Sequence, residues 1–132
     1  MASSRLMTRA ASNRVNARSP RSLAVSAGFK AFVLDQLEDL GDVTPRSMFG
    51  GVGLYCAGVF FAILARDKLY FKTGEANRRD YTRRRMQSFK PFPDRPGRSK
   101  TYYEVPLAVI ESPIELVAWA RKAIAAASDE RR

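Results

Sequence analysis

Histidine is absent from this chain of 132 residues, and Cys56 is its one cysteine. Without histidine there is no Ser-His-Asp or Cys-His catalytic set, and no zinc or non-haem iron site built on an imidazole. A single cysteine excludes an internal disulfide and a cysteine-cluster metal site, and it fits a reducing compartment, the cytoplasm. The longest apolar run, Val59 to Ala65, is seven residues. That is far below the ~18 a membrane helix needs, so no membrane partner is expected. Acids are missing altogether from residues 1–22, which hold five arginines. That segment also lacks the apolar core of a secretory signal, so export is not expected. Elsewhere the carboxylates are scattered, four of them on or just after the first predicted helix. General acid/base work needs convergent groups. No catalytic residue, metal or cofactor is therefore expected, and the chain reads as a non-enzyme.

What is present is an apolar fraction of 45% with 11% aromatics, enough for one globular domain with a core. The net charge of +10 is uneven. Residues 23–65 net −2, residues 66–100 net +8, and residues 101–132 net −1. A localised excess of this kind attracts anionic partners, whether nucleic acid or acidic protein. Residues 1–22 read as a disordered basic tail ahead of a domain spanning 23–132. A targeting segment, suggested by the spacing of Arg5, Arg9, Arg14 and Arg18, and a start codon placed too early are the alternatives.

Ser26 is a helix cap, and Phe29, Phe32, Val33, Leu37 and Leu40 form one apolar face before Gly41. Strands are expected at about Met48–Cys56, Val59–Leu64 and Lys68–Lys72. Ala57-Gly58 and Arg66-Asp67 between them are short enough for hairpin turns. A charged helix over about Glu75 to Arg85 follows, anchored by Ala76, Tyr81 and Met86. Pro91, Pro93 and Pro96 favour an extended or turning connection. Ser99 to Val105 reads as a strand, with Gln87 to Phe89 a shorter partner. Ser112-Pro113-Ile114-Glu115 starts a final helix, as a capping box with proline at the first helical position. Its apolar face is Leu116, Trp119, Ala120, Ala123, Ile124 and Ala127. The fold class is α+β in two layers, a mostly antiparallel sheet with helices in the order α-β-β-β-α-β-β-α.

Two features invite a functional reading. In Ser47-Met48-Phe49-Gly50-Gly51-Val52-Gly53-Leu54-Tyr55, three glycines sit inside a predicted strand, where glycine costs stability. No Gly-Lys-Ser/Thr follows, and Cys56 stands where a dinucleotide fingerprint needs its third glycine. Close packing or a bulge is the expectation, with a ligand cleft beside this strand as the alternative. The second feature is Arg78, Arg79, Arg83, Arg84, Lys90, Arg95, Arg98 and Lys100, with Arg85 among them. Guanidinium groups bind phosphate in pairs of parallel hydrogen bonds. The interleaved Tyr81, Phe89, Phe92, Tyr102 and Tyr103 offer rings for unpaired bases. A solvated helix face, nucleic-acid contact and an acidic protein partner all remain open for this cluster.

The glycine segment, taken with Phe60-Phe61-Ala62, Leu69-Tyr70-Phe71-Lys72, Tyr102-Tyr103-x-Val105-Pro106 and Trp119-Ala120-Arg121, resembles the N-terminal domain of the TfoX (Sxy) family. The match in order and interval extends over about residues 26–126. The resemblance implies a fold similar to type III secretion chaperones. It further implies a bacterial regulatory or adaptor domain, since family founders regulate natural competence together with the cyclic-AMP receptor protein at certain promoters. Expected partners are a protein, such as transcription machinery, and nucleic acid; a homodimer is left open. The founders carry a second, helical domain, whereas this sequence reads as a stand-alone domain. The family pattern carries no agreed catalytic residues. Val52 stands where an aromatic is frequent and Cys56-Ala57 where a polar turn is common, both read as packing variation. The runner-up function is a small-molecule or enzymatic site in a cleft near the glycine strand.

Overall fold

The computed structural model describes residues 23–92 and 94–131. The expectations for residues 1–22 lie outside the described residues. A five-stranded antiparallel sheet runs in simple sequence order: β1 Val43–Met48, β2 Gly51–Cys56, β3 Val59–Ala65, β4 Lys68–Lys72 and β5 Tyr102–Glu104. Helices α1 (Ala27–Gln36), α2 (Arg78–Thr82), α3 (Leu107–Ile110) and α4 (Pro113–Arg131) complete it, with a 3-10 turn at Glu38–Leu40. The class is α+β, with a single antiparallel sheet.

Both helix starts use the caps read from the sequence. The Phe29 amide donates to Ser26 Oγ at 3.1 Å and the Glu115 amide to Ser112 Oγ at 3.3 Å. Each bond satisfies a backbone donor that a first helical turn leaves orphaned. Gly41, at φ 96°, ends the first helical unit in a conformation that a Cβ disfavours.

The strands separate two apolar layers by simple alternation. On the front face, Leu54, Leu64, Leu69 and Phe71 meet Val33 and Leu37 of α1, Tyr81 of α2, and Leu116, Ala120 and Ala123 of α4. Small residues along α4 let its backbone settle close over β3 and β4. On the back face, Ile63, Ala65 and Tyr70 are covered by Leu23 and Phe89. β3 is thus buried on both sides, as its unbroken apolar run requires.

The element order differs from expectation at four places. The segment Met48–Cys56 is not one strand. It takes in the last residue of β1, the Phe49-Gly50 turn and all of β2, in a hairpin whose first strand, β1, carries Pro45 and alternates polar residues. Proline is tolerated there because β1 is an edge strand with one side unpaired. Gly50 consequently leaves the strand and joins Phe49 in the turn. The expected partner strand Gln87–Phe89 is reduced to a single bridge, Ser88 to Tyr103. The charged helix spans only Arg78–Thr82, stopped by Arg85 at φ 58°. Finally, α3 occupies a stretch read as connection.

Three two-residue turns build the four-strand meander, and in each both central residues have positive φ. These are Phe49-Gly50, Ala57-Gly58 and Arg66-Asp67. A turn of this type matches the twist of its strands, at a cost to any residue with a bulky Cβ. Phe49 is the extreme case, at φ 52° and 86% exposed. Its ring is not recovering that cost by burial. Phe49→Asn should therefore raise stability by about 0.5–1 kcal/mol, read as a higher Tm in thermal unfolding.

Candidate functional site

The glycine segment is a packing device. A Cβ placed on Gly51 would stand 2.7 Å from the Leu64 carbonyl oxygen and 3.1 Å from Leu23 Cβ. On Gly53 it would stand 2.9 Å from the Phe60 ring and 3.0 Å from Met48 Sδ. Both glycines belong to β2, and the space beside them is filled by this chain's own atoms. A register shift lies one step on, between Leu54 and Tyr55, where β3 carries an extra residue. Close packing and a bulge both occur, next to one another. Cys56 ends β2 half-buried, its thiol pushed up by burial and by Asp42, with Arg121 opposing.

The basic cluster does not form one surface. The structure divides it between the two faces of the sheet. Arg79, Arg83 and Arg84 ride on or just after α2, whose Tyr81 is buried in the front core. There Arg83 lies 3.7 Å from Asp80, and Arg84 donates to the Asp80 carbonyl while stacking 5.1 Å from the Trp119 ring centre. Lys122 completes the group, 3.2 Å from the other Asp80 oxygen. Trp119 in turn meets Tyr81 edge-on at 4.8 Å. Arg78 turns inward with its Nε buried. It borders a groove of about 600 Å³ between the β4–α2 connection and the end of α4. Lys72, Arg78 and Lys122 line that groove against Glu75, Asp129 and Glu130, so its charges cancel.

The second half of the cluster lies on the back face. Phe89 packs on Tyr70 with ring centres 4.9 Å apart, drawing the 86–100 loop across the sheet. The loop and β4 enclose a cleft of about 500 Å³, lined by Arg66, Lys68, Tyr70, Gln87, Ser88, Lys90, Arg98 and Glu104. Four cations face one carboxylate. The backbone holds most of them in place. Arg66 donates to the carbonyls of Lys90 and Pro91 at 3.2 and 3.0 Å. Arg98 donates to Ser88 O at 2.8 Å, and Lys90 Nζ to Arg95 O at 2.6 Å. Lys68 lies 3.4 Å from Glu104 across the β4–β5 pair. A guanidinium has five N–H donors, so these bonds orient Arg66 and Arg98 and leave donors over. Burial first, then Glu104, pushes the Tyr70 phenol up, with Arg66 and Arg98 opposing, so a neutral hydroxyl lines the cleft.

Of the eight candidate residues, Lys90 and Arg98 share this cleft, and Arg66 and Lys68, which the sequence reading left out, join them. Arg95 stacks on Phe92 at 5.1 Å, and Lys100 is exposed one residue before Thr101. The rings proposed for base stacking are mostly committed elsewhere: Tyr81 and Phe89 are buried, and Tyr103 packs into the front core. Strand alternation would have found Lys68, which shares its face with Tyr70. Arg66 was masked by its place in a turn.

Among the described residues no group of three or more Cys, Asp or Glu is arranged to hold a metal ion, and no helix is long and apolar enough to cross a membrane. The TfoX N-terminal domain profile matches residues 35–127, which takes in the whole sheet, α2, α3 and most of α4. The chain belongs to the TfoX N-terminal domain family. No curated protein matches it. The family is not a known enzyme family, and the match supports a regulatory or adaptor domain.

Proposed function

We propose that this TfoX-type domain is a non-enzymatic regulatory or adaptor module that binds nucleic acid through the phosphates, at the back-face cleft. The observation that supports it most is the meeting of Arg66, Lys68, Lys90 and Arg98 around one concavity that contains a single acid, Glu104. Side chains already tethered to backbone carbonyls lose little freedom when a phosphate arrives, so less of the contact energy is spent on ordering them. The +8 balance of residues 66–100 adds a field that steers a polyanion toward the same region. A half-buried single cysteine suits work in the reducing bacterial cytoplasm.

The reading makes a quantitative demand. Phosphate contact releases counterions, so the log–log slope of affinity against salt is about −0.9 per duplex phosphate neutralised. Four contacts give a slope near −3.6, a loss on the order of a hundredfold between 50 and 200 mM salt. Fluorescence anisotropy of the full chain with a labelled mixed-sequence duplex measures this. A slope indistinguishable from zero, or no binding at 50 mM salt, with this duplex and also with one of its strands alone, would sink the nucleic-acid reading and leave an acidic protein face as the partner.

A further inference from the structure

Beyond the cleft, the back face carries a row of partly exposed aromatic rings. Arg46 stacks 5.5 Å from the Tyr55 ring centre, Tyr55 meets Phe60 at 5.1 Å, and Phe60 meets Tyr102 at 5.6 Å. Lys72 closes the row, its Nζ 5.2 Å from the Tyr102 centre. The rings come from β2, β3 and β5, on the face where Gly53 provides room for Phe60. All three are half-buried, in contrast to Phe61, Phe71 and Tyr81, which are fully buried in the front core. They lie toward the end of the sheet where Cys56 pairs with Val59 and Lys72 with Tyr102, while the cleft lies toward the other end.

We infer that this aromatic row is a stacking platform for the bases of a single-stranded nucleic acid whose phosphates are held by the basic groups of the same face. The inference rests on the reading proposed above and adds to it the strand form that is bound. A duplex hides the faces of its bases, so flat rings on a sheet are of use only to an unpaired strand. The charge around the row fits that occupant. Arg46 is exposed at one end, Lys100 lies two residues before Tyr102, and Lys90 and Arg98 stand in the neighbouring cleft. Burial first, then Glu130 and Tyr55, push the Tyr102 phenol up. The Lys72 ammonium over its ring is paired with the Glu130 carboxylate, so this end of the row is close to neutral and the positive charge lies at Arg46 and in the cleft. Stacking needs no sequence readout, which suits a surface with no recognition helix.

The test compares three 12-nucleotide probes by anisotropy with the full chain: oligo(dT), an abasic strand with the same phosphates, and oligo(rU) in parallel to separate DNA from RNA. The expected result is oligo(dT) or oligo(rU) binding at least about tenfold tighter than the abasic strand. Tyr55→Ala and Phe60→Leu should each reduce binding of the based strand on the order of tenfold and leave the abasic strand unchanged. Phe60→Leu retains apolar volume against Gly53, and Tyr55→Ala removes the ring from the half-exposed end, so one variant remains informative if the other unfolds. Equal, salt-sensitive affinity for based and abasic strands would overturn the stacking platform while leaving phosphate binding intact. Absence of salt-sensitive binding to every probe would overturn both readings together.

Discussion

Gly51→Val is expected to destabilise the domain by about 2–3 kcal/mol, lowering Tm on the order of 10 °C or more. The first atom a new Cβ meets is a backbone oxygen, Leu64 O, only 2.7 Å away. Leu64 pairs with Val52, so its carbonyl cannot retreat without loosening the β2–β3 ladder. On the other side stands Leu23, whose own carbonyl accepts from the Arg66 amide and ties the N-terminal segment to the β3–β4 turn. Gly53→Ala offers the internal contrast. Its neighbours are the Phe60 ring and the Met48 thioether, side chains able to swing aside. That substitution should cost about 1 kcal/mol or less. Thermal unfolding of the two variants side by side checks the argument. Equal stabilities would show that the backbone approach at Gly51 is not what requires glycine there.

The second large effect is on binding. Replacing Lys68, Lys90 and Arg98 together by Gln should reduce the salt slope by about 3, roughly one per phosphate contact removed. Affinity at 50 mM salt then falls steeply, and the remaining salt dependence is only a few-fold. Tm should change little. The Lys68–Glu104 pair is largely solvent-exposed and the other two side chains lie at the surface, where such contacts contribute little to stability. Arg66 is left in place because its two bonds to the 86–100 loop shape the cleft. The matching control is Arg79, Arg83 and Arg84 replaced by Gln on the front of the domain. A loss of binding there equal to the loss at the cleft would mean the phosphates lie along α2 instead.

Much of the fold was legible because its signals are local. The caps at Ser26 and Ser112, the two-residue turns at Ala57-Gly58 and Arg66-Asp67, and the apolar run of β3 each specify their own geometry. The strand β1 was not legible. Pro45 and the polar alternation argue against a strand, and an edge position that excuses them is visible only once β2 has a partner. Phe49-Gly50 was missed as a turn since a phenylalanine is rarely placed at positive φ. The site was half legible for a related reason. Composition located the positive charge in residues 66–100, but helix periodicity was applied to Glu75–Arg85, of which only Arg78–Thr82 is helical. Which arginines converge depends on a loop closing over Tyr70 by way of Phe89, and that contact leaves no periodic trace.

Amide chemical shifts of the isotopically labelled full chain, followed by NMR as oligo(dT) is added at low salt, test the central claim most directly. The account predicts that the largest changes fall on residues 66–70, 87–90 and 98–104, with smaller ones at Arg46 and Tyr55. Changes concentrated on residues 78–85 and 119–122, with the back face silent, would contradict it.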